Sequence, residues 1–176
     1  MTPEEHFAAA LEALGFTGDP EMTRTPAAFL GMLSEFKPLP DIPPVTPLPT
    51  QSTDPVVLRT MPYHSMCAHH LLPFFGHCAI VYRPAGRIAG FGWFPRLLNH
   101  FARRPQLEER LAAQLADAIH DALAPRGVGV WLSARQMCVE MRGARSPGVF
   151  EVEAWRGDDA GLRALLYRPG APLSPG

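Results

Sequence analysis

The chain has 176 residues, 47% of them hydrophobic, which is enough for one domain with a real core and too short to expect two. A formal charge of −1 gives no electrostatic footprint for nucleic acid or for an anionic membrane. No run of roughly 18 apolar residues is present to span a bilayer. Met1-Thr2-Pro3-Glu4-Glu5 lacks the basic and apolar regions of a secretory signal, so a cytoplasmic protein is expected. Cys67, Cys78 and Cys138 are an odd number on such a chain, which favours metal ligation or simple burial over a disulfide framework.

In chain order, Thr2 to Glu5 reads as a helix start with Thr at the N-cap, Pro at N1 and Glu closing a capping box. Phe7, Leu11 and Leu14 follow as one apolar stripe. A second helix is predicted from Thr25-Pro26, with Phe29, Leu30, Met32, Leu33 and Phe36 as its buried face. Residues 1–37 are thus expected to form an N-terminal helical segment. Seven prolines between Pro38 and Pro55 predict an extended connector over 38–55, because each fixes φ and removes a donor.

Beyond it the hydrophobic period changes to two. Val56–Thr60 and His77–Tyr82 read as strands. Pro84-Ala85-Gly86 is a turn signal, and Ile88–Trp93 is predicted as the returning strand of a hairpin. Leu97–Phe101 predicts a helix, and a longer one runs from about Gln106 to Leu123 with leucines and Ile119 on one face; Pro125-Arg126-Gly127 ends it. Val128–Leu132 and Met137–Met141 are predicted as an antiparallel pair, Val149–Trp155 as a last strand and Asp158–Tyr167 as a terminal helix. The order implies an α+β fold with an antiparallel sheet, the main domain occupying 56–170.

Chemistry concentrates in Ser65-Met66-Cys67-Ala68-His69-His70-Leu71-Leu72-Pro73-Phe74-Phe75-Gly76. The C-x2-H spacing lets Cys67 and His70 bite one ion from a single turn of backbone, and Cys138 is a candidate third ligand. Two thiolates and one imidazole would leave a fourth zinc position open for water. Spacing alone is equally compatible with polar loop histidines and small buried cysteines.

The same segment resembles the zinc loop of the GTP cyclohydrolase I family, usually C-E-H-H followed by an apolar turn and Gly. Phe101-Ala102-Arg103-Arg104-Pro105-Gln106-Leu107-Glu108-Glu109-Arg110-Leu111 is similar to its A-R-R-x-Q-x-Q-E-R-L helix, and Met137-Cys138-Val139-Glu140-Met141-Arg142-Gly143 to its H-x-C-x-x-x-R-G strand. Arg24-Thr25-Pro26 is similar to its T-P helix start, and the resemblance covers roughly residues 5 to 157. It implies a tunnelling fold, an antiparallel sheet with helices on one face, assembled as a homo-oligomeric ring with active sites between subunits. It implies Zn2+ held by Cys67, His70 and Cys138, with His69 in proton transfer. It also implies a purine substrate whose edge Glu109 anchors, with Arg96 and Arg142 at the phosphates, and hydrolytic opening of the imidazole ring of GTP on the way to a pterin.

Several positions depart from that family pattern. Gln136 stands where the family has a proton-donating histidine, and an amide cannot titrate. Glu108 replaces the usual Gln beside the anchoring Glu, and Ala68 the Glu after the first cysteine. Gly90-Phe91-Gly92-Trp93 replaces Gly-Leu-Ser-Lys, and Ala28 an arginine. Cys67, His69, His70, Cys138 and Glu109 all remain, while the missing serine, lysine and arginine fall on phosphate recognition. They leave three expectations open: an ordinary GTP cyclohydrolase, a paralogue acting on a purine nucleoside or monophosphate, and a silent zinc-bound regulatory subunit.

Overall fold

The computed structural model describes residues 1–158 and 160–166. The chain divides into two compact units, Met1–Lys37 and Pro38–Gly176. In the first, α1 (Pro3–Ala13) starts on the expected capping box: the Thr2 hydroxyl accepts from the Glu5 N–H at 3.2 Å, and Glu5 returns the contact to the Thr2 N–H at 2.8 Å. A 3-10 turn, Pro20–Arg24, leads into α2 (Thr25–Ser34), and Phe7 stacks on Phe29 with ring centroids 4.9 Å apart. Leu14 lies outside the expected stripe and is exposed, because the helix has ended at Ala13.

The second unit is built on a five-stranded sheet in the order β5 (Pro105–Gln106), β2 (Val56–Cys67), β3 (Pro73–Arg83), β6 (Gly127–Gln136), β7 (Phe150–Gly157). Neighbours are antiparallel except β2 and β5, which pair in parallel at Met66–Pro105 and Cys67–Gln106. A register shift between Leu58 and Met61 in β2, with Thr60 at φ 53°, lets the strand bend and run on to Cys67. Strand β2 is therefore far longer than the five residues that alternation predicts.

Alternation along β3 divides its side chains between two faces. Cys78, Ile80 and Tyr82 join the main core with α3 (Trp93–Ala102) and α4 (Glu108–Leu123), which contributes Leu111, Leu115, Ile119 and Leu123, all fully buried. Each such side chain stabilises the fold by roughly 1.5–3 kcal/mol relative to leaving it exposed. Ala79 and Val81 point the other way, onto Trp131 and onto Leu162 and Leu166 of α6 (Leu162–Leu166). Helices thus cover both faces, which corrects the expected one-sided packing. Tyr167, assigned by the sequence to this last helix, and the end of the expected domain, 167–170, lie outside the described residues.

Two expected strands are helical or nearly absent. The Ile88–Trp93 return strand is reduced to β4 (Arg87–Ile88), which pairs with β1 (Leu48–Pro49) rather than with β3. Gly90 and Gly92 interrupt the strand, and Trp93 and Phe94 open α3, their N–H groups bonded to Gly90 and Phe91. Trp93 is core, 3% exposed, with its indole N–H on the Pro43 carbonyl at 2.9 Å, so it offers no apolar plate to a ligand. Met137–Met141 is also not a strand: β6 ends at Gln136, opposite Phe74, and α5 (Met137–Glu140) makes one helical turn. The proline-rich connector is held to its unit by β1, by the Pro43–Trp93 bond and by Val45 against the core.

Candidate functional site

The loop between β2 and β3 closes on itself. The Cys67 N–H donates to the Leu72 carbonyl at 2.8 Å, and the Leu71 N–H to the Cys67 carbonyl at 2.9 Å, with Leu71 at φ 54°. This tight turn brings Cys67 Sγ and His70 Nδ1 to 3.7 Å. Two further contacts fix its neighbours. Ala68 N–H donates to the Gln106 carbonyl at 2.9 Å, and the Gln106 side chain donates to Phe101 O and Gln114 Oε1 while accepting from Arg110, pinning the start of α4 beside the loop. Gly76 lets β6 approach, since a Cβ there would overlap the Ser133 carbonyl oxygen.

Because β6 ends opposite Phe74, the helical turn that follows carries Cys138 back to the loop. The ligand atoms of Cys67, His70 and Cys138 lie within 4.8 Å of one another. Donors around a tetrahedral zinc, at 2.0–2.3 Å from the ion, stand about 3.5–3.8 Å apart, so the Cys67–His70 spacing fits. The donor set fits too: two thiols and an imidazole suit zinc. Burial, and then the Cys67 thiol beside it, push the Cys138 thiol above its ordinary value, while Arg142 pulls it down.

A cavity of about 390 Å³ opens beside these residues, lined by Cys67, His69, Glu108, Glu109, Gln136 and Cys138 among others. Glu109 is exposed at its side. Glu108, the first residue of α4, is buried: its Oε1 accepts from the Tyr63 hydroxyl at 3.1 Å and its Oε2 from Gln136 Nε2 at 2.7 Å. Burial raises the Glu108 carboxyl above the usual range; the two donors lower it, and the charges of Glu109 and Glu151 raise it again. Burial and Glu108 together hold the Tyr63 phenol protonated.

Seven of the nine expected site residues therefore converge: Cys67, His69, His70, Glu108, Glu109, Gln136 and Cys138. Arg96 is exposed on α3 and Arg142 just past α5, and neither lines the cavity. Sequence reasoning missed Tyr63, whose place two and four residues before Ser65 and Cys67 puts it on the same face of β2. It also missed Phe150, Glu151 and Val152, which β7 adds to the wall.

A family model described as GTP cyclohydrolase I matches residues 4–158. The chain belongs to the GTP cyclohydrolase I family. Over 94 residues, 53% of this chain, it is 47% identical to the GTP cyclohydrolase 1 of Streptococcus agalactiae serotype Ia, covering 50% of that protein. The GTP cyclohydrolase 1 of Campylobacter concisus is 44% identical over 94 residues, and that of Carboxydothermus hydrogenoformans 48% over 94. The chain spans about half the length of the curated relatives it matches. Among solved structures, the archaeosine synthase QueF-Like in the apo form superposes with a TM-score of 0.52 at 22% identity, over 61% of this chain and 98% of that one, a likeness of fold alone.

Proposed function

We propose that this member of the family is a zinc-dependent hydrolase that opens the imidazole ring of a guanine-type purine, GTP or a close relative. The observation that carries the reading is the convergence of the Cys67, His70 and Cys138 ligand atoms beside a cavity walled by His69, Glu108 and Glu109. Cys67, His70 and Cys138 would hold the zinc, which supplies Lewis-acid activation of water near neutral pH. Glu109, exposed at the cavity wall, accepts hydrogen bonds from the ring N–H and exocyclic amine of the purine. His69 moves the proton between the water and the departing ring nitrogen. The fold is read as a tunnelling fold that assembles as a homo-oligomeric ring in the cytoplasm, with Arg96 and Arg142 meeting a phosphate. Among the described residues the outer edge of β7, and that of β2 before Met66, has no pairing strand, which supports assembly, since unpaired edges of this length invite pairing.

A second reading has its own observation. Ala28 and Gly92 replace polar phosphate contacts, and Trp93 is not a displaced ligand group but part of the core. Charge-assisted contacts contribute roughly 1.5–3 kcal/mol each, so losing them weakens selection for the β- and γ-phosphates. A nucleoside or monophosphate is then preferred over GTP. The test is mass spectrometry of products from zinc-loaded protein given GTP, GMP, guanosine and guanine separately. Ring-opened or pterin products support the hydrolase. Consumption of GTP much faster than GMP or guanosine overturns the second reading. No consumption of any of them by fully zinc-loaded protein overturns the first and favours a regulatory subunit.

A further inference from the structure

Two departures from the family pattern, Gln136 for histidine and Glu108 for glutamine, are 28 residues apart in sequence but share one hydrogen bond. We infer that Glu108 is a positioning residue: its carboxylate holds the Gln136 amide in a single orientation, so that Gln136 turns its carbonyl oxygen, an acceptor, toward the cavity. The inference rests on the proposed function only for the kind of ligand that meets this oxygen.

An amide has a donor end and an acceptor end, and either can face a partner that both donates and accepts. An ionised carboxylate only accepts, so it selects the Nε2 end. Both Glu108 oxygens are committed, Oε2 to Gln136 at 2.7 Å and Oε1 to the Tyr63 hydroxyl at 3.1 Å. The Tyr63 phenol stays protonated and can only donate there. The N-terminus of α4, where Glu108 is the first residue, favours the anion. At 5% exposure the carboxylate has little water to exchange partners with. A glutamine at 108 could satisfy Gln136 from either end and would fix neither orientation. The two substitutions are in this sense one change: what the site presents at position 136 becomes a fixed acceptor, matched to a ligand N–H or O–H.

The arrangement holds while Glu108 is ionised. Once protonated, the carboxyl would donate to the Gln136 carbonyl oxygen, and the amide would reverse to present Nε2 to the cavity. The groups facing Glu108 are Tyr63 from β2, Gln136 from β6, Glu151 from β7 and Glu109 on its own helix. Burial and the two acidic neighbours outweigh the two donors, so the reversal comes at a higher pH than for a free glutamate.

Selective 15N labelling of glutamine side chains in the zinc-loaded, full-length protein tests this without any ligand, the Gln136 signal being assigned by its loss in Gln136→Ala. The Gln136 Nε2 protons are expected to exchange with solvent roughly tenfold more slowly than in Glu108→Gln, in keeping with a charge-assisted bond. Their shift should follow one ionisation that Glu108→Gln abolishes. A Gln136 amide with the same exchange rate and pH dependence in Glu108→Gln overturns the inference. Guanosine binding by calorimetry is the second arm. Glu108→Gln should weaken it about tenfold at neutral pH with zinc content unchanged, and adding Gln136→Ala should weaken it no further, as expected of one coupled unit. Additive losses overturn the inference. Failure of the wild type to bind guanosine while its Gln136 amide titrates as described overturns the guanine reading and upholds the positioning role.

Discussion

Restoring the family's lysine by Trp93→Lys separates a ligand role for this position from a structural one. The side chain is 3% exposed, lies edge-on to Phe94 with centroids 5.2 Å apart, and donates its indole N–H to the Pro43 carbonyl. Removing a buried tryptophan costs about 3–5 kcal/mol through lost burial and the cavity left behind. The lost hydrogen bond adds about 1 kcal/mol and frees the connector at Pro43. An ammonium in the vacated space is either desolvated or drags its helix towards water, so lysine cannot recover the difference. A total near 4–6 kcal/mol is a large part of the roughly 5–15 kcal/mol that holds a domain folded. At about 2–4 °C per kcal/mol for a chain of this size, the melting temperature should fall by roughly 10–20 °C. Circular dichroism melts of zinc-loaded wild type, Trp93→Lys and Trp93→Phe measure this; the phenylalanine variant keeps a ring, loses the N–H and should fall only a few degrees. A lysine variant that melts with the wild type and gains affinity for GTP over GMP would show that position 93 faces ligand.

Zinc analysis of Cys138→Ser should give strongly reduced metal, whereas Cys78→Ala, whose buried thiol is not part of the ligand group, should keep about one zinc per chain. Full retention in Cys138→Ser removes Cys138 from the site. Glu109→Ala should abolish turnover and purine binding while leaving the melting temperature within about 1–2 °C, because the side chain is exposed; unchanged KM and kcat would take Glu109 out of purine recognition. Native mass spectrometry at micromolar concentration should find a multi-subunit assembly, and a monomer there removes the ring. The raised Glu108 carboxyl means the folded chain binds the proton more tightly than the unfolded one, so stability falls as pH rises from the ordinary glutamate value through the raised one. Glu108→Gln removes that slope, so its melting temperature relative to wild type should climb across that window; a constant difference would mean that Glu108 titrates normally.

The fold was legible where one physical signal dominated. The capping box at Thr2–Glu5 and the leucine face of α4 follow from local chemistry and period, and both form as read. The errors fall where tertiary pairing overrides local pattern. Ile88–Trp93 alternates like a strand, but Gly90 and Gly92 break the ladder and the bulky Trp93 and Phe94 gain more by packing at the head of α3. Met137–Met141 is apolar enough for a strand, yet the pairing of β6 with β3 stops at Gln136, opposite Phe74, and the chain turns there. The length of β2 was hidden by its bulge, since the shift after Leu58 disturbs the alternation by which a strand is recognised.

The site was legible in its donors and not in their relations. The C-x2-H spacing and the later cysteine leave burial and ligation equally open for Cys67, His70 and Cys138; the family resemblance singles them out, and the structure brings their ligand atoms within 4.8 Å of one another. Gln136 and Glu108 each read as a loss when taken along the chain. Only the pairing of β6 with β3, and of β5 with β2, brings the end of β6 against the start of α4 and makes one residue the partner of the other. A substitution that removes a titratable group at one position and adds one across a 2.7 Å hydrogen bond keeps this part of the cavity polar. Two departures from the family pattern, at 108 and 136, thus meet in the wall of one cavity.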